Sequence, residues 1–315
     1  MTPRPVGRQR RVFSSPHFHR LQRRHFLLFD VLPALGCVTA VGLLPWLRPS
    51  GPVLAVCVLL WLATGLGLTV GFHRLFSHRA FTTGSRVAVG LMVLGSMAGR
   101  GSGFSWAAMH RRHHELADRP GDPHSPNLAG KARFPRLRGF LHAHLIWMRR
   151  HDYPNVGHYI PDLMRNGPLA AANRRYYQWV LLGLAIPAAV GVASRPSLGG
   201  VLTGLLWGGA VRMCLVEQTM SSINSLMHLV GVQPFGGADD CSRNLGWLAL
   251  ASWGEGWHNN HHAFPNSAAF GHGWRQPDPG LWAIRALAAL GLAWDVRTPA
   301  PERLAARRAQ PQEAN

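Results

Sequence analysis

Trp253-Gly254-Glu255-Gly256-Trp257-His258-Asn259-Asn260-His261-His262 ends in the pattern H-x-x-H-H. Side chains three and four residues apart on a helix share a face, so this spacing predicts a helix that aims three imidazoles at one point. The same pattern stands upstream at His110-Arg111-Arg112-His113-His114, and a looser H-x-x-x-x-H joins His73 to His78. With 18 histidines in 315 residues, chance supplies a given H-x-x-H-H about 0.06 times per chain. Two copies and a third cluster therefore point to metal binding rather than scattered surface histidine. Five residues along an α-helix turn about 500°, leaving His73 and His78 roughly 140° apart. They can share a metal only if the helix bends or ends between them; otherwise they serve different metals.

The composition says where such a site would lie. Hydrophobic residues make up 47% and charged residues 15%, below the soluble average of about 25%, which indicates a membrane protein. The formal net charge is +19, and Lys131 is the only lysine, so the basicity is arginine. Cys37, Cys57, Cys214 and Cys241 form no C-x-x-C pair, so neither a disulfide framework nor a zinc ribbon is indicated. The apolar run from Phe26 is too long for a secretory signal peptide and lacks a small-residue cleavage site.

Residues 1–25 carry Arg4, Arg8, Arg10, Arg11, Arg20, Arg23 and Arg24 and no acid. They are expected to form a disordered cytoplasmic tail suited to anionic lipid, with His17, His19 and His25 solvated. Residues 26–47 and 53–72 are apolar and long enough to cross a bilayer. The short link between them makes a hairpin, and Gly65, Gly67 and Gly71 allow close helix packing. Residues 87–99 are apolar but too short to span, which suits a re-entrant or interfacial helix. Residues 176–194 and 198–220 form the third and fourth spans. Nearly all the arginine lies in the long segments, and each short link holds one. The positive-inside rule then puts both termini and the 73–175 region in the cytoplasm, with all three histidine clusters. Arginine that follows membrane topology in this way argues against a nucleic-acid partner. The apolar pattern of the fourth span runs on to His228, which carries that side chain into the cytoplasmic cap. Arg212 and Glu217 are expected to form an interfacial pair. Residues 281–292 read as an amphipathic surface helix and 299–315 as a polar tail. The expected architecture is all-α: a membrane domain over 26–298 with four transmembrane helices and a helical cap that carries the histidines.

His73, His78, His110, His113, His114, His258, His261 and His262 are too many for one metal and suit two. Imidazole alone, without thiolate, fits iron, zinc, copper or nickel. Two metals beside lipid suggest oxygen chemistry on an acyl chain. A two-metal hydrolase fits the same residues, whereas a metal transporter would place ionisable groups at the membrane midplane.

The motifs resemble those of the membrane-bound fatty acid desaturases of the stearoyl-CoA desaturase-like group, over about residues 53–298. The matching words are Gly71-Phe72-His73-Arg74-Leu75-Phe76-Ser77-His78-Arg79, Gly121-Asp122-Pro123-His124-Ser125-Pro126, His144 followed by Trp147, Ser222-Ile223-Asn224-Ser225 with His228, Ser242-Arg243-Asn244, and Gly254 to His262. The resemblance implies a di-iron centre with nine histidine ligands, the eight above and His228, with Asn224 reaching one metal through water. It implies dioxygen as co-substrate and a cis double bond formed in an acyl chain, of the acyl-CoA delta-9 type, in a bacterial inner membrane. No H-P-G-G haem word is present, so the two electrons are expected from an external donor: a cytochrome b5-like protein, a ferredoxin or a reductase. His124 and His144 are expected to hold ligand imidazoles by hydrogen bonds, and Asp122, Asp239 and Asp240 either do the same or cap turns.

Two positions depart from the family pattern. Ala108-Met109 stands where the family has an Arg-Asp pair that contacts the thioester carrier, although Arg149 and Arg150 resemble its basic carrier-contacting pair. Ser221 replaces a tryptophan that shapes the acyl tunnel. Cys57, Trp61 and Gly65 share a face of the second span above His73. That face is expected to line the tunnel, with Trp61 as its stopper and Gly65 leaving room for the chain; the competing reading makes Trp61 an interfacial or packing aromatic facing lipid. The rival activities are hydroxylation on the same scaffold and non-enzymatic metal storage or transport.

Overall fold

The computed structural model describes residues 11–130, 133–236 and 240–308. Four of its helices are long and apolar enough to cross a membrane: α1 (Pro16–Gly42), α2 (Gly51–Ser77), α6 (Tyr176–Ser194) and α7 (Leu198–His228). Between the two pairs lie α3 (Ser85–Ser96), α4 (Gly103–Leu116) and α5 (Pro135–His144). After them come α8 (His258–Ala263), α9 (Pro279–Ala289) and α10 (Pro301–Arg308). Among the described residues, strand is limited to two short antiparallel pairs: β1 (Val12–Phe13) with β3 (Tyr153–Pro154), and β2 (Thr82–Thr83) with β4 (Ala293–Trp294).

The tail reading of residues 1–25 is corrected for residues 11–25; residues 1–10 lie outside the described residues. Arg11 pairs with Glu115, β1 joins β3, and Ser15 caps α1 by accepting from Phe18 N at 3.2 Å. Gln22 is buried and donates to the His151 carbonyl at 2.9 Å, and His25 Nε2 lies 3.0 Å from the Tyr176 hydroxyl. A basic segment folds when its polar groups find partners, and composition alone cannot show them. The first span accordingly starts earlier than residue 26 and ends at Gly42. The polar tail from 299 contains α10, and residues 309–315 lie outside the described residues.

Glycines bring α2 and α3 into backbone contact. A Cβ at Gly67 would overlap the backbone of Leu94 and Gly95, and one at Gly71 would crowd Leu91. From Gly67 to Ser77, α2 widens into a π-helix, whose hydrogen bonds run from i to i+5. One of these bonds links the first histidine cluster directly: His78 N donates to the His73 carbonyl at 3.2 Å. The wider turn brings the two imidazoles onto one side, which an α-helix would not do.

Arg212 and Glu217 do not pair. Arg212 is fully buried in α7 and donates to the carbonyls of Gly208, Met97 and Gly183. Glu217 instead meets Arg100 and accepts from Ser221 Oγ at 2.6 Å, while Arg100 Nη1 also donates to Asp30 Oδ1 at 2.6 Å. Five residues of helix separate the two α7 charges by about 500°, so they face different neighbours. The largest apolar core packs behind the histidines, with Leu68, Phe72, Phe76, Met92, Val216 and Trp253 among its members.

Candidate metal centre

The histidines form two groups. The ligating nitrogens of His73, His78, His110, His114 and His261 lie within 4.8 Å of one another, and so do those of His113, His228, His258 and His262. Each H-x-x-H-H therefore divides between two points, which corrects the expectation of one. In α4 the i, i+4 pair His110 and His114 joins the five-histidine group, while His113 turns to the other. In α8 the i, i+4 pair His258 and His262 joins the four-histidine group, and His261 crosses to the first. Residues i+3 and i+4 point about 100° apart, so one short helix can serve two centres. The ends of α2 and α7 supply His73, His78 and His228.

Local hydrogen bonds fix α8 in place. Asn244 Oδ1 accepts from the Asn259 and Asn260 amides at 2.9 and 3.2 Å, satisfying two free N–H groups of its first turn. Asn260 Nδ2 donates to the Phe270 carbonyl at 2.7 Å, and the Phe270 ring packs 4.3 Å from that of His261. Arg74, fully buried beside His73, lies over the Phe270 ring at 3.9 Å and donates to Asp278 Oδ1 at 2.8 Å.

Four carboxylates hold ligand rings by Nδ1 and leave Nε2 directed inward. Glu255 lies 2.7 Å from His73 Nδ1, Asp122 3.0 Å from His113, Asp118 2.8 Å from His228, and Asp240 3.0 Å from His262. Glu255 also accepts from Thr69. Asp118 and Glu255 escaped the sequence reading. Glu255 stands inside the decisive stretch, but nothing in a linear pattern says that it reaches back to α2. Of the other expected supports, Asp239 lies outside the described residues. His124 packs its ring 4.2 Å from that of His113 and touches no ligand nitrogen by a hydrogen bond. His144 is hydrogen-bonded elsewhere: its nitrogens meet Ser225 Oγ at 2.9 Å and Gln218 Oε1 at 3.0 Å, because α5 packs against α7.

Three observations fit two divalent cations. First, the nitrogen pairs His73–His261, His261–His114, His78–His110 and His228–His258 stand 2.9, 2.9, 2.8 and 3.0 Å apart. Two adjacent nitrogens each about 2.1 Å from one metal would be about 3 Å apart. Second, Nε2 of His113 and of His262 is buried without a hydrogen-bond partner among the described residues, an arrangement that costs free energy unless a metal takes the lone pair. Third, four buried or half-buried carboxylates and neutral imidazoles carry a charge that two divalent ions would balance. Burial first, and neighbouring rings second, push His78, His110, His114, His258 and His261 well below the ordinary histidine range, which leaves them in the metal-binding form. Burial opposes ionisation of Asp118, Asp122 and Asp240, yet the facing imidazoles and hydrogen bonds hold all three well below the usual carboxylate range.

A cavity of about 580 Å³ opens onto both groups. His73, His110, His113, His258 and Asn224 line it, with Leu68, Trp106, Met109, Met220 and Ile223 as apolar walls and Arg100 at a polar one. Residues of α1, among them Phe18, Leu21, Leu28 and Phe29, cover another side. Cys57, Trp61 and Gly65 do not line it, contrary to expectation. The Cys57 thiol donates to the Trp207 carbonyl at 3.1 Å, Trp61 packs at a tilt against Trp253 with ring centroids 4.7 Å apart, and a Cβ at Gly65 would overlap the Trp253 indole. Arg149 and Arg150 are exposed at the turn after α5, and Arg150 borders a shallow pocket with His19, Arg112, His142 and His151.

The family of proteins described as fatty acid desaturase matches residues 49–272. This chain belongs to that family and is an oxidoreductase acting on fatty acyl chains. It is similar to the hex-5-enoyl-[acyl-carrier protein] acetylenase of Moorena producens, at 45% identity over 300 residues that cover 95% of this chain and 93% of the relative. It is also similar to delta-9 acyl-lipid desaturase 1 of Arabidopsis thaliana, at 32% over 297 residues (93% and 89%). A third relative is the sn-2 palmitoyl-lipid 9-desaturase of a Nostoc species, at 33% over 285 residues (88% and 90%).

Proposed function

We propose that the chain is a di-iron, oxygen-dependent desaturase of a short acyl chain held as a thioester on acyl carrier protein. The observation that carries this reading is the pair of all-imidazole groups opening together onto one partly apolar cavity. His73, His78, His110, His114 and His261 would hold one iron; His113, His228, His258 and His262 would hold the other. Asn224 lines the cavity beside His113 and His258, and we assign it the water-mediated contact to the second iron. The irons, when bound, supply reductive activation of dioxygen. In the balanced reaction, two neighbouring C–H bonds break, one carbon–carbon π bond forms, and dioxygen takes up those two hydrogens, two electrons and two further protons to give two waters.

The chain's own residues supply the rest. Glu255, Asp118, Asp122 and Asp240 set the tautomer and direction of their histidines. Leu68, Trp106, Met109, Met220 and Ile223 bind methylenes and exclude water from the reacting carbons. The electrons come from an external acidic protein, which the net charge of +19 would attract.

The names of the relatives make opposing demands on the cavity. Delta-9 chemistry on a long lipid chain requires apolar depth beyond the metals, whereas the hex-5-enoyl substrate of the acetylenase requires little. Packed core behind Leu68, Met220 and Ile223 favours the short chain. The carrier of that relative, and Ala108-Met109 in place of a carrier-binding Arg-Asp pair, favour acyl carrier protein over coenzyme A.

The test uses the iron-loaded full chain with acyl-[acyl carrier protein] substrates, dioxygen and reduced ferredoxin, followed by mass analysis of the released chains. Loss of two hydrogens with matching oxygen uptake is expected. A hydroxylated product would move the chain to the hydroxylase reading. Bound metal without acyl-dependent oxygen uptake would overturn the enzymatic reading.

A further inference from the structure

We propose that Trp253 closes the apolar end of the acyl site and so sets the longest chain the enzyme accepts. This rests on the reading of the cavity as an acyl-binding site.

Four observations single this residue out. Its backbone sits at φ 53°, in the left-handed region that a bulky side chain rarely adopts. The residue is 1% exposed, yet its indole Nε1–H has no hydrogen-bond partner among the described residues. The ring fills the slot left by the missing side chain of Gly65, where any Cβ would overlap it, and it packs at a tilt against Trp61. An unpaired buried donor and a strained backbone both oppose folding, so packing alone is a poor account of this residue.

The slot lies where a longer chain would go. Gly65, Leu68 and Thr69 are three and four residues apart and share a face of α2. Leu68 and Thr69 line the cavity, and Gly65 stands one turn behind them, away from the metals. Leu68, Met220 and Ile223, the apolar wall, belong to the same packed cluster as Trp253, with Trp61 against it. The wall bearing Arg100 is bound to Asp30 and Glu217 and is unfit for methylenes. Trp253 does not line the present cavity; its ring fills the slot next along α2, so a chain extending past Leu68 along this helix, rather than toward Leu28 and Phe29 of α1, takes the space of that ring.

Trp253→Ala and Trp253→Phe in the full chain test the proposal. Each would be assayed with saturated acyl-[acyl carrier protein] substrates from hexanoyl to stearoyl, with iron content and melting temperature measured alongside. The parent is expected to favour the short end. Trp253→Ala should raise the ratio of kcat/KM for long over short chains by more than about tenfold, with Trp253→Phe between. A purely structural role would lower melting temperature and all rates together, leaving the ratio unchanged. An unchanged ratio in either iron-containing variant overturns the proposal while leaving the acyl site intact. A parent that turns over no acyl substrate removes the site itself, and the proposal with it. Trp253→Phe keeps most of the packing and carries the test if the alanine variant does not fold.

Discussion

Glu255→Gln isolates the contribution of a carboxylate to the five-histidine group. Glu255 is the acid at this group's rings: it accepts from His73 Nδ1 at 2.7 Å, and Thr69 holds its second oxygen. The carboxylate can only accept, so it forces the proton onto Nδ1 and leaves the His73 Nε2 lone pair free. Glutamine keeps the shape and removes one of the four charges that face two divalent ions. A hydrogen bond to a charged partner contributes about 1.5–3 kcal/mol and a neutral one about 0.5–1.5, so the loss is about 1–2 kcal/mol, or roughly 5–30-fold in metal affinity. If the amide nitrogen turns toward His73, the proton moves to Nε2 and that ligand is lost altogether. The assay is competition with a graded chelator, followed by elemental analysis of protein-bound iron. One iron of two should leave at lower chelator strength, because the other group keeps Asp118, Asp122 and Asp240. Release of both irons at the parental chelator concentration, from a variant with the parental melting temperature, would refute the orienting role of Glu255.

Two further outcomes test the site and the fold. Replacing any one of His113, His114, His261 and His262 by alanine should abolish turnover, and each variant should lose iron from the group to which its nitrogen belongs; turnover retained by His261→Ala would sink the metal assignment. Zinc in a recombinant preparation would not, since imidazole sites accept it readily. Gly67→Leu should destabilise the protein by several kcal/mol, more than ordinary overpacking at about 1–3 kcal/mol, because its Cβ meets the Gly95 backbone, which cannot rotate away. A melting temperature within a degree of the parent would mean that α2 and α3 are not packed as described.

The division of labour within each histidine box has a chemical consequence. Because α4 and α8 each serve both groups, a small rotation of either helix moves nitrogens of both groups at once. Such coupling holds the two centres in a fixed relation. It also explains why so much hydrogen bonding is spent on α8, a helix of barely two turns.

The sequence by itself determined the membrane architecture and which histidines stand out as candidate ligands. Hydropathy is a local sum over a window, and H-x-x-H-H reports the geometry of a single helix, so both can be read without knowing what lies nearby. Spans at 53–72 and 176–194 fall within helices that the structure contains. The tertiary structure decided everything that depends on two distant segments meeting. It placed His73 and His78 together through a π-helix, and it split each box between two histidine groups. It made Glu255 and Asp118 the partners of His73 and His228, across 182 and 110 positions of chain. It also filled the face at Gly65 with an indole from residue 253, where helical periodicity had left an open groove. Periodicity gives the direction in which a side chain leaves its own helix; what occupies the space in front of it belongs to another part of the chain.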